Sequence, residues 1–428
     1  MNKENKKTFD WDDRKISQFI IWDYIENANM MGYYDTQNFL TNNSWITISK
    51  YKKYKIILNL IDSIYNIIFS LKSIQEKSNI NRKILFDIEG KYPLIILAAK
   101  KNHLVEMIVK GKKDRLFAIK NFIKYTSYTD LNQFIYNYLI RKDESYLRQL
   151  INKTEERIKE TNPDYIVLWN DSLPIERAIV LVARRLGIIT IDIQHGIYQS
   201  TSVPTQERAA DYILVWGQYF KDLYVKNGIR KPEEVYVLGY PYLIKRHKSD
   251  HRKKRHYAVC YLGEDFERYN KDLLDIKLET ISNLYKICNH LGLKFIYRPH
   301  PGDDRRLLKS KLPDVYFTQE REKIDKTFRE EDVFISFNST ALIEAAIRSK
   351  VCLQLMNFPM KTDDFEELGV CSKAFKTIEE IENYLTKIAN SPNLDDFKPK
   401  FNNHYVDLSY NPGKRFLEIL DDIEKNKK

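Results

Sequence analysis

Two doubly wound α/β domains facing across a cleft are what this sequence predicts, and three observations lead there. At 428 residues the chain exceeds what one core ordinarily holds, and its 43% apolar content is enough for two. From about residue 83 onward, short β-rich runs alternate with longer helical ones, the rhythm of strand–helix–strand crossovers. That rhythm stops at KRHKSDHRKKR, residues 245–255, a run without one apolar residue, and restarts at 257. The boundaries expected are 1–245 for a first domain with a helical N-terminal extension, 246–256 for a basic linker, 257–400 for a second domain, and 401–428 for a closing helix.

The opening MNKENKKTFDWDDRK has neither an apolar core nor a small-residue cleavage site, so it does not read as a secretory signal. Residues 56–71 come nearest to a membrane span. Asn59, Asp62, Ser63, Asn66 and Ser70 recur there at three- and four-residue intervals, the polar stripe of an amphipathic helix. In the first domain a strand is expected at 83–88, a turn at Glu89-Gly90, and a helix from 94 to about 110. A helix at 144–160 leads to a strand at 165–169, a helix at 174–186 and a strand at 188–193. Pro174 suits a first helical turn; Ile175, Ala178, Ile179, Val182 and Leu186 make one apolar face; Gly187 permits the left-handed residue that ends the helix. A strand at 212–216, a helix at 218–227 and a strand at 235–238 follow. In the second domain strands are expected at 257–262, 294–297, 315–318, 332–337 and 351–355, with helices at 271–291, 324–328, 340–349, 378–389 and 415–425.

Composition narrows the partners. Lys+Arg 70 against Asp+Glu 59 leaves +11, dispersed and of mixed sign, as in a folded globule whose surplus favours anionic ligands or an anionic lipid surface. The basic run lacks interleaved aromatics, so no nucleic acid is expected. Cys260, Cys288, Cys352 and Cys371 lie far apart without a CxxC pair, which fits a reducing cytoplasm rather than a disulfide framework or structural zinc. Neither GxGxxG nor GxxxxGK[ST] occurs, nor HExxH, nor GxSxG. No metal and no cofactor are expected, and transfer is favoured over hydrolysis.

In open α/β sheets ligands bind beyond the carboxyl ends of the strands, so polar residues there carry most weight. In Arg298-Pro-His-Pro-Gly-Asp-Asp304, Pro299 and Pro301 stiffen the loop and hold the His300 imidazole in a fixed direction, where it and Arg298 can donate to an anion; the alternative is a rigid turn whose His caps a neighbour. At Asn338-Ser339-Thr340 a strand gives way to a helix apolar on nearly every side, so two hydroxyls and free amides sit at its positive end; ordinary capping is the alternative. His195, between Gln194 and Gly196, can take a proton from a hydroxyl at neutral pH. Glu89 and Asp171 are rival bases, each also explicable as a turn or cap residue, and Asn170 shares the Asp171 loop.

Taken together, DIQHG, ADYILVWGQYFKDLYVKNGI with its VYVLGYP ending, the RPHP loop and SFNSTALIEAA resemble the GT-B glycosyltransferases of bacterial surface polysaccharide synthesis. More narrowly they resemble the capsule and lipopolysaccharide Kdo- and sialyl-transferases that use CMP-sugars, and the CDP-glycerol glycerophosphotransferases, over roughly residues 163–355. The resemblance implies two Rossmann-like domains, a nucleotide-sugar donor whose phosphate and ribose meet His300, Ser339 and Thr340, and Glu344 on the ribose or sugar hydroxyls, with a helix-surface role as its alternative; Pro301 and Asn338 are donor-side candidates beside them. It implies His195 near the acceptor or leaving group; Gln194, Gly196 and Asn170, at strand ends of the same domain, are the acceptor-side candidates. The sialyltransferases' acidic pair before glycine has only Asp87-Ile88-Glu89-Gly90 as its counterpart. The acceptor implied is a saccharide or lipid-linked saccharide, and the place a cytoplasmic one, peripheral on the anionic inner face of the cell membrane. A CDP-glycerol transferase, a UDP-sugar 2-epimerase and a non-catalytic nucleotide-sugar-binding assembly subunit are the alternatives.

Overall fold

Seven parallel strands make the first sheet: β1 (Lys83–Asp87), β2 (Leu104–Val109), β3 (Lys124–Ser127), β4 (Tyr165–Leu168), β5 (Ile189–Ile193), β6 (Tyr212–Val215) and β7 (Val235–Val237), in the order β3-β2-β1-β4-β5-β6-β7. The computed structural model describes residues 15–21, 60–65, 69, 82–88, 91–200, 209–242, 257–268 and 272–426. Successive residues of the central strands feed opposite layers. Leu85, Ile166 and Leu168 join α4 (Ser145–Thr161) and α5 (Pro174–Leu186) on one side. Ile84, Phe86 and Val167 join α1 (Pro93–Asn102) on the other. Burial on both faces is why these strands read as continuous apolar runs. As expected, Pro174 opens α5 and Gly187 closes it at φ 70°.

Between β1 and β4 the helix expected from 94 to about 110 is corrected. α1 ends at Asn102, His103 is extended, and Leu104–Val109 is a strand buried beyond its first residue. Met107, Ile108 and Val109 satisfy helical spacing and a two-sided strand equally, and the parallel pairing of Lys83 with Leu104 decides for the strand. α2 (Lys112–Lys120), β3 and α3 (Asn132–Arg141), which the sequence reading passed over, complete this half.

The second sheet, β8 (Ala258–Leu262), β9 (Lys294–Arg298), β10 (Val333–Ser336), β11 (Val351–Leu355) and β12 (Lys373–Phe375), is also parallel, in the order β12-β11-β10-β8-β9. The strand expected at 315–318 is only a bridge between Phe317 and Tyr297. The helices here are α7 (Leu273–His290), α8 (Arg305–Lys311), α9 (Ile324–Glu330), α10 (Thr340–Ile347) and α11 (Ile378–Ala389), following α6 (Gln218–Lys226) of the first half. The basic linker and most of residues 56–71 lie outside the described residues, although 60–65 are helical.

The chain then returns to the first sheet. The Tyr219 amide donates to the His404 carbonyl (2.9 Å) and the Asp407 amide to that of Trp216 (2.8 Å). Gly217 permits this crossing, because a Cβ there would overlap the Tyr405 and His404 carbonyls. α12 (Pro412–Asn426) lies on α1, with Gly413 admitting the Leu94 carbonyl. The closing helix is therefore part of the first domain's outer layer. One apolar cluster, including Trp216, Phe220, Tyr240, Leu262, Leu342 and Tyr405, spans both halves and fixes them together.

All four cysteines are buried thiols, and burial pushes each above its usual range. A thiol-directed alkylating reagent at pH 8 is expected to label none of them in the native protein and all four in urea, by intact mass. Rapid native labelling would contradict the packing.

Candidate functional site

Neighbouring crossovers leave the second sheet in opposite directions at β8 and β10, which opens a crevice at their carboxyl ends. Gly263, Glu264 and Asp265 follow β8; Phe337, Asn338 and Ser339 follow β10. The buried Glu264 bridges the two turns: its Oε1 accepts from the Phe337 amide (3.0 Å), the Asn338 amide (3.3 Å) and the Ser336 hydroxyl. Burial pushes its carboxyl up to about 7, against the pull of these bonds and of the Lys277 charge. Asp265 Oδ1 stands 3.3 Å from His300 Nδ1. Two consecutive residues thus grip the two pieces that sequence reasoning singled out.

The loop carrying His300 is fixed from below. The His300 amide donates to Asp303 Oδ2 (2.8 Å), which also accepts from the Tyr297 hydroxyl (2.7 Å). Asp303 Oδ1 accepts from the buried Lys277 ammonium (2.6 Å), which bonds the Glu267 carboxylate and the Glu264 carbonyl as well. Pro301 is exposed at the tip and the His300 side chain is 42% exposed, so the imidazole is anchored yet reachable.

Glu264 yields a pH prediction. Its folded-state carboxyl titrates above its unfolded value, so the native state keeps the proton longer; its contribution is complete below about pH 4.5 and lost as pH rises through about 7. Glu264→Gln is expected to remove a stability difference on the order of 3 kcal/mol between pH 4.5 and pH 8, read by urea unfolding. An unaltered pH dependence would contradict the assignment.

The first sheet reverses between β1 and β4, and its carboxyl edge supplies the facing wall. Lys91 lies over the Trp169 ring (3.2 Å to the centroid), and His195 meets that ring edge-on at 5.2 Å and Tyr198 at 5.9 Å. The Tyr242 hydroxyl donates to the His195 carbonyl (2.9 Å). Gln194 builds the turn beneath: its Nε2 donates to the Gly196 carbonyl (2.9 Å), and its Oε1 and carbonyl accept from the amide and indole N–H of Trp216 (2.8 Å each).

Three contacts bring the walls together. A Cβ built on Gly196 would lie 3.8 Å from Thr340 Oγ1, so the glycine after His195 faces the start of α10. Tyr240, after β7, sits against Glu344 of α10, whose carboxyl burial raises above its usual range while Arg348 and the tyrosine oppose the shift. Asp363 receives the Ser200 amide (2.9 Å) and its own amide donates to Gln199 (2.7 Å).

Several expected site residues have other work. Arg298, expected as an anion donor, donates to Thr327 Oγ1 (2.7 Å) and the Glu322 carbonyl (2.8 Å), bonds that brace its loop. Asp171, expected as a rival base, is fully buried and accepts from the Ala209 and Ala210 amides (2.6 and 2.9 Å), which ties its own loop to the start of β6. Asn170 accepts from the Ser172 amide (2.8 Å) in a side-chain turn, and Leu173 rather than either neighbour is the α5 N-cap. Gln194 is scaffold. Ser339 caps α10, accepting the Ala341 amide (3.2 Å), and the Asn338 amide is taken by Glu264. Glu89 lies outside the described residues. His195, His300 and Thr340 remain at the cleft. Sequence reasoning missed Glu264, Asp265, Lys91, Trp169 and Tyr240; the signal for the first pair was a glycine and two acids directly after the buried run AVCYL. Among the described residues no group of three His, Cys, Asp or Glu side chains could hold a metal ion, and no helix is long and apolar enough to cross a membrane.

No family model and no curated protein matches the sequence. Solved structures do match. UDP-GlcNAc 2-epimerase of Methanocaldococcus jannaschii, in complex with UDP-GlcNAc and UDP, is 14% identical over 79% of this chain and 99% of its own, with a TM-score of 0.54. The Neisseria meningitidis UDP-GlcNAc 2-epimerase bound to UDP-GlcNAc is 12% identical over 80% of this chain and 100% of its own, at 0.53. MurG of Acinetobacter baumannii gives 11%, 80% and 99%, at 0.48. At such identities the likeness concerns the fold: this chain has the GT-B architecture of two Rossmann-like domains across a cleft.

Proposed function

We propose that this protein binds a nucleotide-activated sugar at the carboxyl end of the second sheet and transfers the sugar to a saccharide or lipid-linked saccharide, with a CMP-sugar such as CMP-Kdo or CMP-sialic acid as the favoured donor. The observation that supports this most is the approach of Gly196 to Thr340, which sets the His195 loop opposite the helix start that His300 shares through Glu264 and Asp265. His300, the Thr340 hydroxyl and the positive end of α10 stabilise the phosphate charge as the sugar–oxygen bond breaks and its electron pair stays with the nucleotide. The acceptor oxygen forms the new bond, and its proton passes to His195. Joining of the two walls excludes water, which would otherwise hydrolyse the donor. The surplus of basic residues favours a peripheral position on an anionic membrane, where a lipid-linked acceptor resides; vesicles containing anionic lipid are expected to retain the protein at low salt and neutral vesicles to release it, by co-sedimentation.

A UDP-sugar 2-epimerase is the second reading, favoured by the UDP-GlcNAc 2-epimerases among the structural matches. The test is turnover of CMP-sialic acid, CMP-Kdo and UDP-GlcNAc with and without saccharide acceptor. Acceptor-dependent release of CMP supports transfer. Conversion of UDP-GlcNAc to its 2-epimer without acceptor supports epimerisation instead, and no turnover of any of them speaks against both.

A further inference from the structure

We infer that Asp265 is the positioning residue of the His300 imidazole, and that residue 302 is glycine so that the Asp265 carboxylate can reach it. The two side chains come from adjacent strands, Asp265 from the turn after β8 and His300 from the loop after β9. Main chain and ring of His300 are held separately. Asp303 takes the amide, while Asp265 Oδ1 stands 3.3 Å from Nδ1. The Gly302 amide, 3.1 Å from the same nitrogen, donates to it only while Nδ1 is unprotonated, so protonation of the ring exchanges that bond for the one Nδ1 donates to Asp265. A Cβ at Gly302 would overlap the Asp265 carboxylate and stand 3.2 Å from His300 Nδ1, so any larger residue there would push the pair apart.

With Nδ1 turned to Asp265 and the Gly302 amide, Nε2 is the ring nitrogen left to face a ligand, and the carboxylate beside Nδ1 orients the ring and favours its protonated form. The charged groups facing the ring are Asp265 and Glu264 from the β8 turn and Asp303 from its own loop, with Lys277 of α7 bonded to Asp303. Burial opposes protonation, but the Asp265 bond and charge, with Asp303 and Glu264, outweigh it and leave His300 raised above its usual value. A protonated ring presents an N–H and a positive charge to a phosphate, which makes the bond charge-assisted. That the ligand is a nucleotide phosphate rests on the function proposed above; the hold of Asp265 on the ring does not.

The experiment has two arms on the full chain. In the first, histidine ring resonances are titrated by NMR, with His300 assigned through His300→Gln. The His300 midpoint is expected above 6.5 in the wild type and to fall in Asp265→Asn and in Gly302→Ala, which retains both side chains. A midpoint that neither substitution moves overturns the inference. In the second, calorimetry with CMP and UDP at pH 6 and pH 8 is expected to show binding about tenfold weaker at pH 8 in Asp265→Asn, with Asp265→Glu recovering part of the loss. Wild-type binding that Asp265→Asn leaves unchanged at both pH values overturns the inference while the nucleotide site stands. Absence of wild-type binding removes the nucleotide site and leaves the NMR arm to decide the role of Asp265.

Discussion

Replacing His195 with alanine is expected to lower acceptor-dependent turnover by about 10²- to 10⁴-fold while leaving nucleotide affinity within a factor of about three. The split follows from geometry. His195 stands on the first sheet's wall, against Trp169 and Tyr198, whereas His300 and Thr340 stand on the second. The substitution also removes no main-chain support, because the turn is built by Gln194 and by the Tyr242 bond to the residue 195 carbonyl. Steady-state kinetics beside calorimetry with the product nucleotide make the measurement. A turnover loss below about threefold, or a parallel collapse of nucleotide affinity, would contradict the assignment of proton transfer to this residue.

A second large effect is expected in the first domain. Lys110, directly after β2, bonds Asp87 at the end of β1 (2.7 Å) and Glu176 in the first turn of α5, and both carboxylates are almost wholly buried. Burial acts against the ammonium, but the two acids overcome it and raise Lys110 above its usual range. Lys110→Met keeps most of the stem and removes the charge, leaving two carboxylates without their cation. The expected loss is about 3–5 kcal/mol in urea unfolding, since breaking a buried ion cluster costs far more than an exposed pair. The triple variant Lys110→Met, Asp87→Asn, Glu176→Gln is expected to recover much of it. A loss under about 1 kcal/mol for the single variant would contradict the cluster.

The fold was legible wherever a local rule had one solution. Pro174 and Gly187 bound α5 because a ring fixes one end and a positive φ the other. It was less legible where two periodicities fit the same residues. Met107-Ile108-Val109 reads as helix or strand until the partner strand is known, and partner strands are a long-range fact. The site divides in the same way. His195 and His300 stand out in the sequence as candidates because a strand end and paired prolines mark them. For Arg298 and Asp171 residue type says only what a side chain can bond, and the partners they have here, Thr327, Glu322, Ala209 and Ala210, are set by the fold. Glu264 and Asp265 were passed over because their work is to join segments more than thirty residues away in sequence, which no short motif displays.

The central claim is that His300 and the start of α10 form one anion-binding pocket for a nucleotide. Thermal unfolding of the wild type and of His300→Ala, each with CMP, CDP, UDP or GDP, tests it most directly. One nucleotide is expected to raise the melting temperature of the wild type and to leave that of His300→Ala unmoved. No shift with any of the four, or an equal shift in both proteins, would contradict it.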